Sequence, residues 1–453
     1  MAWSYVLVGI LAIGMLIGLT GKMPQLKKRR LRRALKGAAV GMSLVLVGIT
    51  AFLAYALPVF KLPEPTGKYP VGFTYMQLTD HNRTDPFLAG SSQKRQLMVK
   101  VYYPAKADGT KLYAPYFNGS KELMEAYAGF YHIPSFAFTH FGLVQTHAKA
   151  NLTVSGAEKQ YPVVLFSNGA GATPEVETSQ SEDLASHGYI VMAIDHTYVS
   201  AATQFPSRVV TAAEATRKFD VPEPAAPITQ IMADDDKFVI DELTKINGGS
   251  IASPVAHKVN AGKIGVIGHS VGGAVAYNMA INDPRVKAAI NLDGAVYITP
   301  KPSQPMAPFL MLANDKYHVE AIKARKSLMM QFDSSAESQA ALRSTYGSKA
   351  AYDQEYAKEQ ADVTGLANTL KASGNLYTIT GSDHMKFTDI GLFIGNAKLR
   401  SFLQIGGSAD PKDCLAITQA VTSAFFNEHL RGGSAEPVNS LTNEYPKLQH
   451  VKL

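Results

Sequence analysis

Residues 265–273 read Gly265-Val266-Ile267-Gly268-His269-Ser270-Val271-Gly272-Gly273, an apolar, β-rich run that breaks into Gly-x-Ser-x-Gly and then into the Ala-rich segment 274–280. Few local sequences restrict a fold so tightly. Small residues two before and two after a serine permit the strained strand-to-helix turn that lifts its hydroxyl clear of a sheet. The preceding Lys263-Ile264-Gly265-Val266-Ile267 reads as a buried parallel strand, and the segment after the turn is a good helix former. Strand, tight turn and helix in that order make Ser270 a candidate nucleophile, because a serine hydroxyl reacts only when it is exposed and given a base.

The rest of the chain fits such a sheet. Apolar runs at Val163–Ser167, Ile190–Ile194, Ile264–Ile267, Ala288–Leu292, Phe309–Ala313 and Leu376–Thr380 read as buried parallel strands, and Gln96–Pro104 as an antiparallel edge strand. Helical patterns at Ser179–Ser186, Asp234–Ile246 and Gly272–Asn282 separate several of them. This alternation predicts an α/β class with a mostly parallel, doubly wound sheet, helices on both faces and ligands at the carboxyl ends of the strands. Two long insertions interrupt it, an aromatic one at about 113–152 and a polar, Ala-rich helical one at about 318–373. Insertions of this length cap or shape sites. The rings of the first form an apolar acyl or aryl pocket, or else pack the insertion onto the sheet.

Ahead of this domain, Ala2–Thr20 and Ala38–Phe60 are almost wholly apolar, each near the roughly 20 residues that cross a bilayer. A basic run separates them (22–37), and no Asp or Glu precedes Glu64. The positive-inside rule then keeps the basic loop in the cytoplasm and sends the remainder outside the cell membrane. The predicted organisation is a two-transmembrane-helix anchor (1–60), a Pro/Gly-rich linker (61–74), a catalytic domain (75–435) and a C-terminal tail (436–453). A rival reading takes the second segment as a cleaved signal, with Ala54-Tyr55-Ala56 as a small-x-small site.

Composition excludes other classes. The net charge of +7 owes eight positive charges to Lys22, Lys27, Lys28, Arg29, Arg30, Arg32, Arg33 and Lys36, which leaves 36 basic against 37 acidic residues and no nucleic-acid footprint. The single Cys414 permits no intramolecular disulfide and no Cys-x-x-Cys metal site, and it reads as a buried helix residue. No metal or organic cofactor is called for. Oligomeric state is not legible.

A serine elbow needs an acid and then a histidine, each at the end of a later strand. Ala288-Ala289-Ile290-Asn291-Leu292-Asp293-Gly294 ends a strand in an acid, and Thr380-Gly381-Ser382-Asp383-His384-Met385 ends another in a histidine. Asp293 would orient His384, and His384 would take the Ser270 proton. His269, His196 and the rival acid Asp383 read as structural. For an oxyanion, the amides of Val271, directly after the serine, and Ala170, in the bend Ser167-Asn168-Gly169-Ala170-Gly171, are the candidate donors. That bend lacks the Lys-Ser/Thr ending of a phosphate loop and the third glycine of a dinucleotide fingerprint.

Five segments carry a family resemblance: Phe166-Ser167-Asn168-Gly169-Ala170-Gly171, 183–191, Gly268-His269-Ser270-Val271-Gly272-Gly273, Leu292-Asp293-Gly294 and Gly381-Ser382-Asp383-His384. With the 23-residue step from Ser270 to Asp293, they resemble the platelet-activating-factor acetylhydrolase (type II/plasma-like) family of α/β-hydrolases, which has bacterial relatives. The resemblance covers about Gly67 to Gly432 and implies an α/β-hydrolase fold. It also implies a calcium-independent serine esterase with Ser270, Asp293 and His384 as triad, Ala170 and Val271 as oxyanion donors, and short-acyl phospholipid-like esters as substrates. One departure is Asn168, where the family usually has His. The resulting expectation is a membrane-anchored, extracytoplasmic lipid-degrading esterase. Its rivals are a broad esterase of non-lipid or polymeric esters, and an inactive hydrolase fold used as a surface binding module.

Overall fold

The computed structural model describes residues 14, 29–217, 225–299, 305–329, 331–402, 407–432 and 437–453. Its strands are β1 (Val71–Thr84), β2 (Lys94–Pro104), β3 (Ala148–Ala150), β4 (Tyr161–Ser167), β5 (Ile190–Asp195), β6 (Ala202–Phe205), β7 (Arg208–Thr211), β8 (Val259–His269), β9 (Val286–Leu292), β10 (Phe309–Asn314), β11 (Leu376–Ile379) and β12 (Leu448–His450). Ten of them form one sheet in the order β12-β11-β10-β9-β8-β4-β5-β2-β1-β3, and β6 and β7 make a separate hairpin. From β5 through β4, β8, β9 and β10 to β11 every pairing is parallel. The mostly parallel α/β sheet read from the sequence is therefore present.

Side-chain alternation explains why helices cover both faces. Val163 and Leu165 of β4, Ile190 and Met192 of β5, and Phe309 and Met311 of β10 join one buried cluster with the helices Ala225–Asn247, Val271–Asn282 and Lys349–Ser373. The intervening Val164, Phe166, Val191, Leu310 and Leu312 join another with the helices Thr178–Ser186 and Pro411–Phe426. A strand with both faces apolar has to be buried on both sides. Local signals set the helix ends. Ser348 caps the helix Lys349–Ser373 by accepting from Ala351 N at 3.1 Å, Asp410 caps Pro411–Phe426 by accepting from Lys412 N at 2.8 Å, and Gly374 closes the former at φ 68°.

The order of strand addition reverses at β4. The chain steps to β5 on one side and returns as β8 on the other, so the crevice for a ligand opens at the carboxyl ends of β4 and β8. The aromatic insertion divides its rings between both expected roles. Tyr116, Phe117, Tyr127, Phe138 and Phe141 pack on one another and on Phe60 and Phe393, whereas Phe130 and Tyr131 reach the bend after β4.

Two expectations need correction. β2 is antiparallel but not an edge strand, because β1 pairs along it from Val71 to Asp80 and continues the sheet. β1 alternates polar and apolar residues without an apolar run, which hid it beside the Pro/Gly-rich segment. The two-helix anchor is likewise unsupported. Its first segment lies outside the described residues except Gly14, and among the described residues no helix is long and apolar enough to cross a membrane. Residues 448–450, within the expected tail, form β12 on the sheet edge.

One buried ion cluster ties the antiparallel half of the sheet to the helical layer. Arg95 of β2 is fully buried and meets Asp235 at 2.7 Å and Asp85 at 3.2 Å, while Arg83 and His196 also reach Asp235 at 2.7 and 3.0 Å. Burial alone would raise the Asp235 carboxyl, but Arg95 and His196 hold it well below the usual range. Replacing Asp235 by Ala leaves the buried Arg95 guanidinium only the longer carboxylate contact, to Asp85. The expected loss is about 3–5 kcal/mol of unfolding free energy, measured by urea denaturation against wild type.

Candidate active site

β8 runs into Ser270 at φ 56°, ψ −125°, and the next residue opens the helix Val271–Asn282. A non-glycine residue held there stores of order 1–3 kcal/mol, and the surroundings enforce it. Ser270 N donates to the Leu292 carbonyl at 3.0 Å. A Cβ on Gly272 would lie 1.9 Å from the Ser167 carbonyl oxygen, and one on Gly268 would lie 2.2 Å from the Gly272 carbonyl carbon. Only glycines let the elbow close this tightly against β4.

Ser270, His384 and Asp293, separated by up to 114 positions, converge at the carboxyl ends of the strands. His384 Nε2 faces Ser270 Oγ at 3.0 Å, and His384 Nδ1 donates to Asp293 Oδ2 at 2.7 Å. Asp293 is fully buried, at φ 56° directly after β9. Asn314, at the end of the neighbouring strand β10, donates its backbone amide to Asp293 Oδ1 at 2.7 Å, and its side-chain amide to Oδ1 and Oδ2 at 2.8 and 2.7 Å. Burial would raise the Asp293 carboxyl, yet the His318 and His384 imidazoles beside it hold it well below the usual carboxylate range. It is therefore a stable anion, able to fix the His384 tautomer and stabilise an imidazolium.

The bend after β4 passes directly against the serine. A Cβ on Gly169 would come 3.0 Å from Ser270 Cβ. The amides of Gly171 and Ala172 are spent on the Val199 and Gly169 carbonyls at 2.9 and 3.0 Å. Ala170, directly before them, is half-buried, and Val271 is the first residue of a helix, where an amide has no carbonyl a turn earlier to donate to. Asn168 Nδ2 donates to the Gly169 carbonyl at 2.8 Å and so fixes the bend. Tyr131 Oη donates to the Gly171 carbonyl at 2.8 Å, which brings the aromatic insertion over the same loop.

The competing residues have structural roles. Asp383 caps a short helical turn by accepting from Met385 N at 3.1 Å. His196 lies in a sealed array in which its Nδ1 meets Asp235 Oδ2 and its Nε2 meets Ser167 Oγ, both at 3.0 Å. All three side chains are buried, so this second Ser-His-Asp set has no access for substrate. Cys414 is buried, and burial pushes its thiol up to about 12. His269 Nε2 donates to the His384 carbonyl at 2.7 Å, which holds the loop that carries the imidazole.

Sequence reading missed Asn314 and His318. His318 Nδ1 lies 2.8 Å from Asp293 Oδ1. A signal existed, because the apolar run 309–313 pairs beside the strand of Asp293 and ends in an amide, with a histidine four residues later. Among the described residues, no group of three or more His, Cys, Asp or Glu is arranged to hold a metal ion.

With this geometry in hand, the likeness to known proteins is specific. Residues 56–224 and 228–436 match the family model described as platelet-activating factor acetylhydrolase, isoform II. The chain belongs to that family. Among curated members it is similar to a probable 1-alkyl-2-acetylglycerophosphocholine esterase of Arthroderma benhamiae, at 27% identity over 52% of this chain and 60% of the relative. It is also similar to the platelet-activating factor acetylhydrolase of Canis lupus familiaris, at 29% identity over 51% of this chain and 55% of the relative. The match thus spans well under two thirds of each relative's length. Among solved structures it resembles a ferulic acid esterase from Streptomyces cinnamoneus, with a TM-score of 0.63 and 26% identity over 86% of this chain and 99% of that one.

Burial, with His384 nearby, pulls the His269 imidazole down to about 3 from an ordinary 6.5. The unfolded chain therefore binds a proton that the folded chain refuses between those values, and stability falls as pH drops through that window. Urea midpoints measured from pH 7 to 4 should fall less steeply in His269→Asn than in wild type. An unchanged slope would assign the effect elsewhere.

Proposed function

We propose that the chain is a serine carboxylic-ester hydrolase that works through an acyl-enzyme. The observation that carries this reading is the continuous hydrogen-bonded line from Ser270 Oγ through His384 to the buried Asp293 anion, at 3.0 and 2.7 Å. In the proposed sequence Ser270 Oγ attacks the ester carbonyl and His384 Nε2 takes its proton. Asp293 stabilises the imidazolium, and the amides of Ala170 and Val271 receive the oxyanion. His384 then returns the proton to the leaving alcohol. A water, deprotonated by the same nitrogen, releases the acid and frees Ser270.

Short-acyl phospholipid-like esters are the favoured substrates, a reading supported by family membership and by the names of the curated relatives. One observation favours a second reading, an aryl or otherwise non-lipid ester. One solved structure that this chain resembles over most of its length is a ferulic acid esterase, and Phe130 and Tyr131 lie against the proposed oxyanion bend. We further propose an extracytoplasmic site of action at a membrane. This reading is supported by the basic run before residue 37 and by exposed Met42, Leu44, Val45, Ile49 and Phe52 in the helix Arg29–Ala56.

Replacing Ser270 by Ala should lower p-nitrophenyl acetate turnover by about 10⁴-fold or more while leaving thermal unfolding intact. Fluorophosphonate labelling should be lost in parallel, and retained turnover or labelling overturns the assignment. Relative kcat/KM for acetyl phospholipids, longer-acyl phospholipids and feruloyl esters then separates the two substrate readings. Labelling of intact cells before and after external protease tests the sidedness, since a cytoplasmic domain would survive the protease.

A further inference from the structure

The carboxylate that orients His384 is shared between two imidazoles. Asp293 Oδ2 serves His384 at 2.7 Å, and Oδ1 serves His318 at 2.8 Å, with the His318 and His384 rings 6.4 Å apart. His318 is the first residue of the helix His318–Ala324, which packs on β10 and on the helix Lys349–Ser373. We propose that His318 is a positioning residue that competes with His384 for the negative charge of Asp293, so that a proton taken up at His318 slows the reaction from a place that never touches substrate. This rests on the esterase reading above.

An ionised carboxylate only accepts, so both Nδ1 atoms carry hydrogen and Nε2 is the nitrogen of His318 that titrates. The His318 side chain is 16% exposed, which gives protons a route to it. Once protonated, it places a full positive charge 2.8 Å from Asp293 Oδ1. The reaction needs that anion to stabilise the imidazolium forming at His384 as Ser270 loses its proton. A cation already bound to the same carboxylate cancels part of that stabilisation and repels the second cation. The pair is buried, so salt screens it little.

Other charges nearby are accounted for. His384, from the turn after β11, and His269, from the elbow, are the other titratable groups facing this cluster, and His269 is held neutral. Asp315, in the loop before the helix, accepts from Gly381 N at 2.9 Å, and Glu320 pairs with Lys323 at 4.0 Å on the helix itself. On the helix Lys349–Ser373, Glu359 accepts from Leu328 N at 3.1 Å and Asp362 from Thr299 Oγ1 at 2.5 Å. Burial pulls the His318 imidazole down, but Asp293 outweighs it and lifts the ring above the ordinary histidine value. By linkage, the His318–Asp293 ion pair stabilises the fold below that ordinary value, and the gain is lost as pH rises through the raised one. Mild acid therefore strengthens this ion pair while it slows the reaction.

His318→Asn keeps a donor toward Asp293 and removes the titration. The acid limb of log kcat/KM for p-nitrophenyl acetate should carry in wild type an extra fall that sets in above the ordinary histidine value and that the variant lacks, with plateau rates within about threefold. His318→Gln provides the same comparison if the Asn variant unfolds. Coincident acid limbs overturn the proposal. Histidine-selective NMR titration of Ser270→Ala, which needs no turnover, should show a ring titrating above ordinary histidine that disappears in Ser270→Ala/His318→Asn. Its absence also overturns the proposal, whereas failure of wild type to hydrolyse any ester strikes the esterase reading alone.

Discussion

The close approach of the turn after β8 to the end of β4 decides where everything else in the site can sit. Gly272 lies so near the Ser167 carbonyl that no side chain fits between them, and the neighbouring Gly268 is equally confined. That contact forces Ser270 into a backbone conformation it would not otherwise adopt. The same approach brings the Asn168–Gly171 bend against the nucleophile. The candidate oxyanion donors and the hydroxyl are thus fixed by one packing constraint between adjacent parallel strands.

Electrostatics on the other side of the serine depend on a single buried anion. Asp293 survives in a desolvated position because two imidazoles and one asparagine donate to it, the latter from backbone and side chain. A buried carboxylate with fewer donors would take up a proton and cease to orient anything. Asn314 therefore matters as much to the state of the site as the histidine that faces the serine.

Much of this was legible in the sequence. The elbow declares itself because its glycines and β-branched residues lie within nine positions, and the parallel strands because burial on both faces demands continuous apolar runs. Asp293 and His384 could be found because each closes such a run. What escaped detection lacks a local signature. β1 carries a mixed pattern, with one face less buried. His318 opens a helix inside a polar insertion, and its partner is 25 positions earlier. The two N-terminal spans were read from composition alone, and the first of them lies outside the described residues.

Ser167, His196 and Asp235 match the candidate triad in residue type and nearly in spacing, yet they lie buried at the carboxyl ends of β4 and β5. Their hydrogen bonds hold the root of the oxyanion bend to the helix Ala225–Asn247. A search by atom-to-atom geometry would therefore find both serine centres among the described residues. The proposed reactivity belongs to the one that solvent can reach, and the other shows the same arrangement serving as mortar.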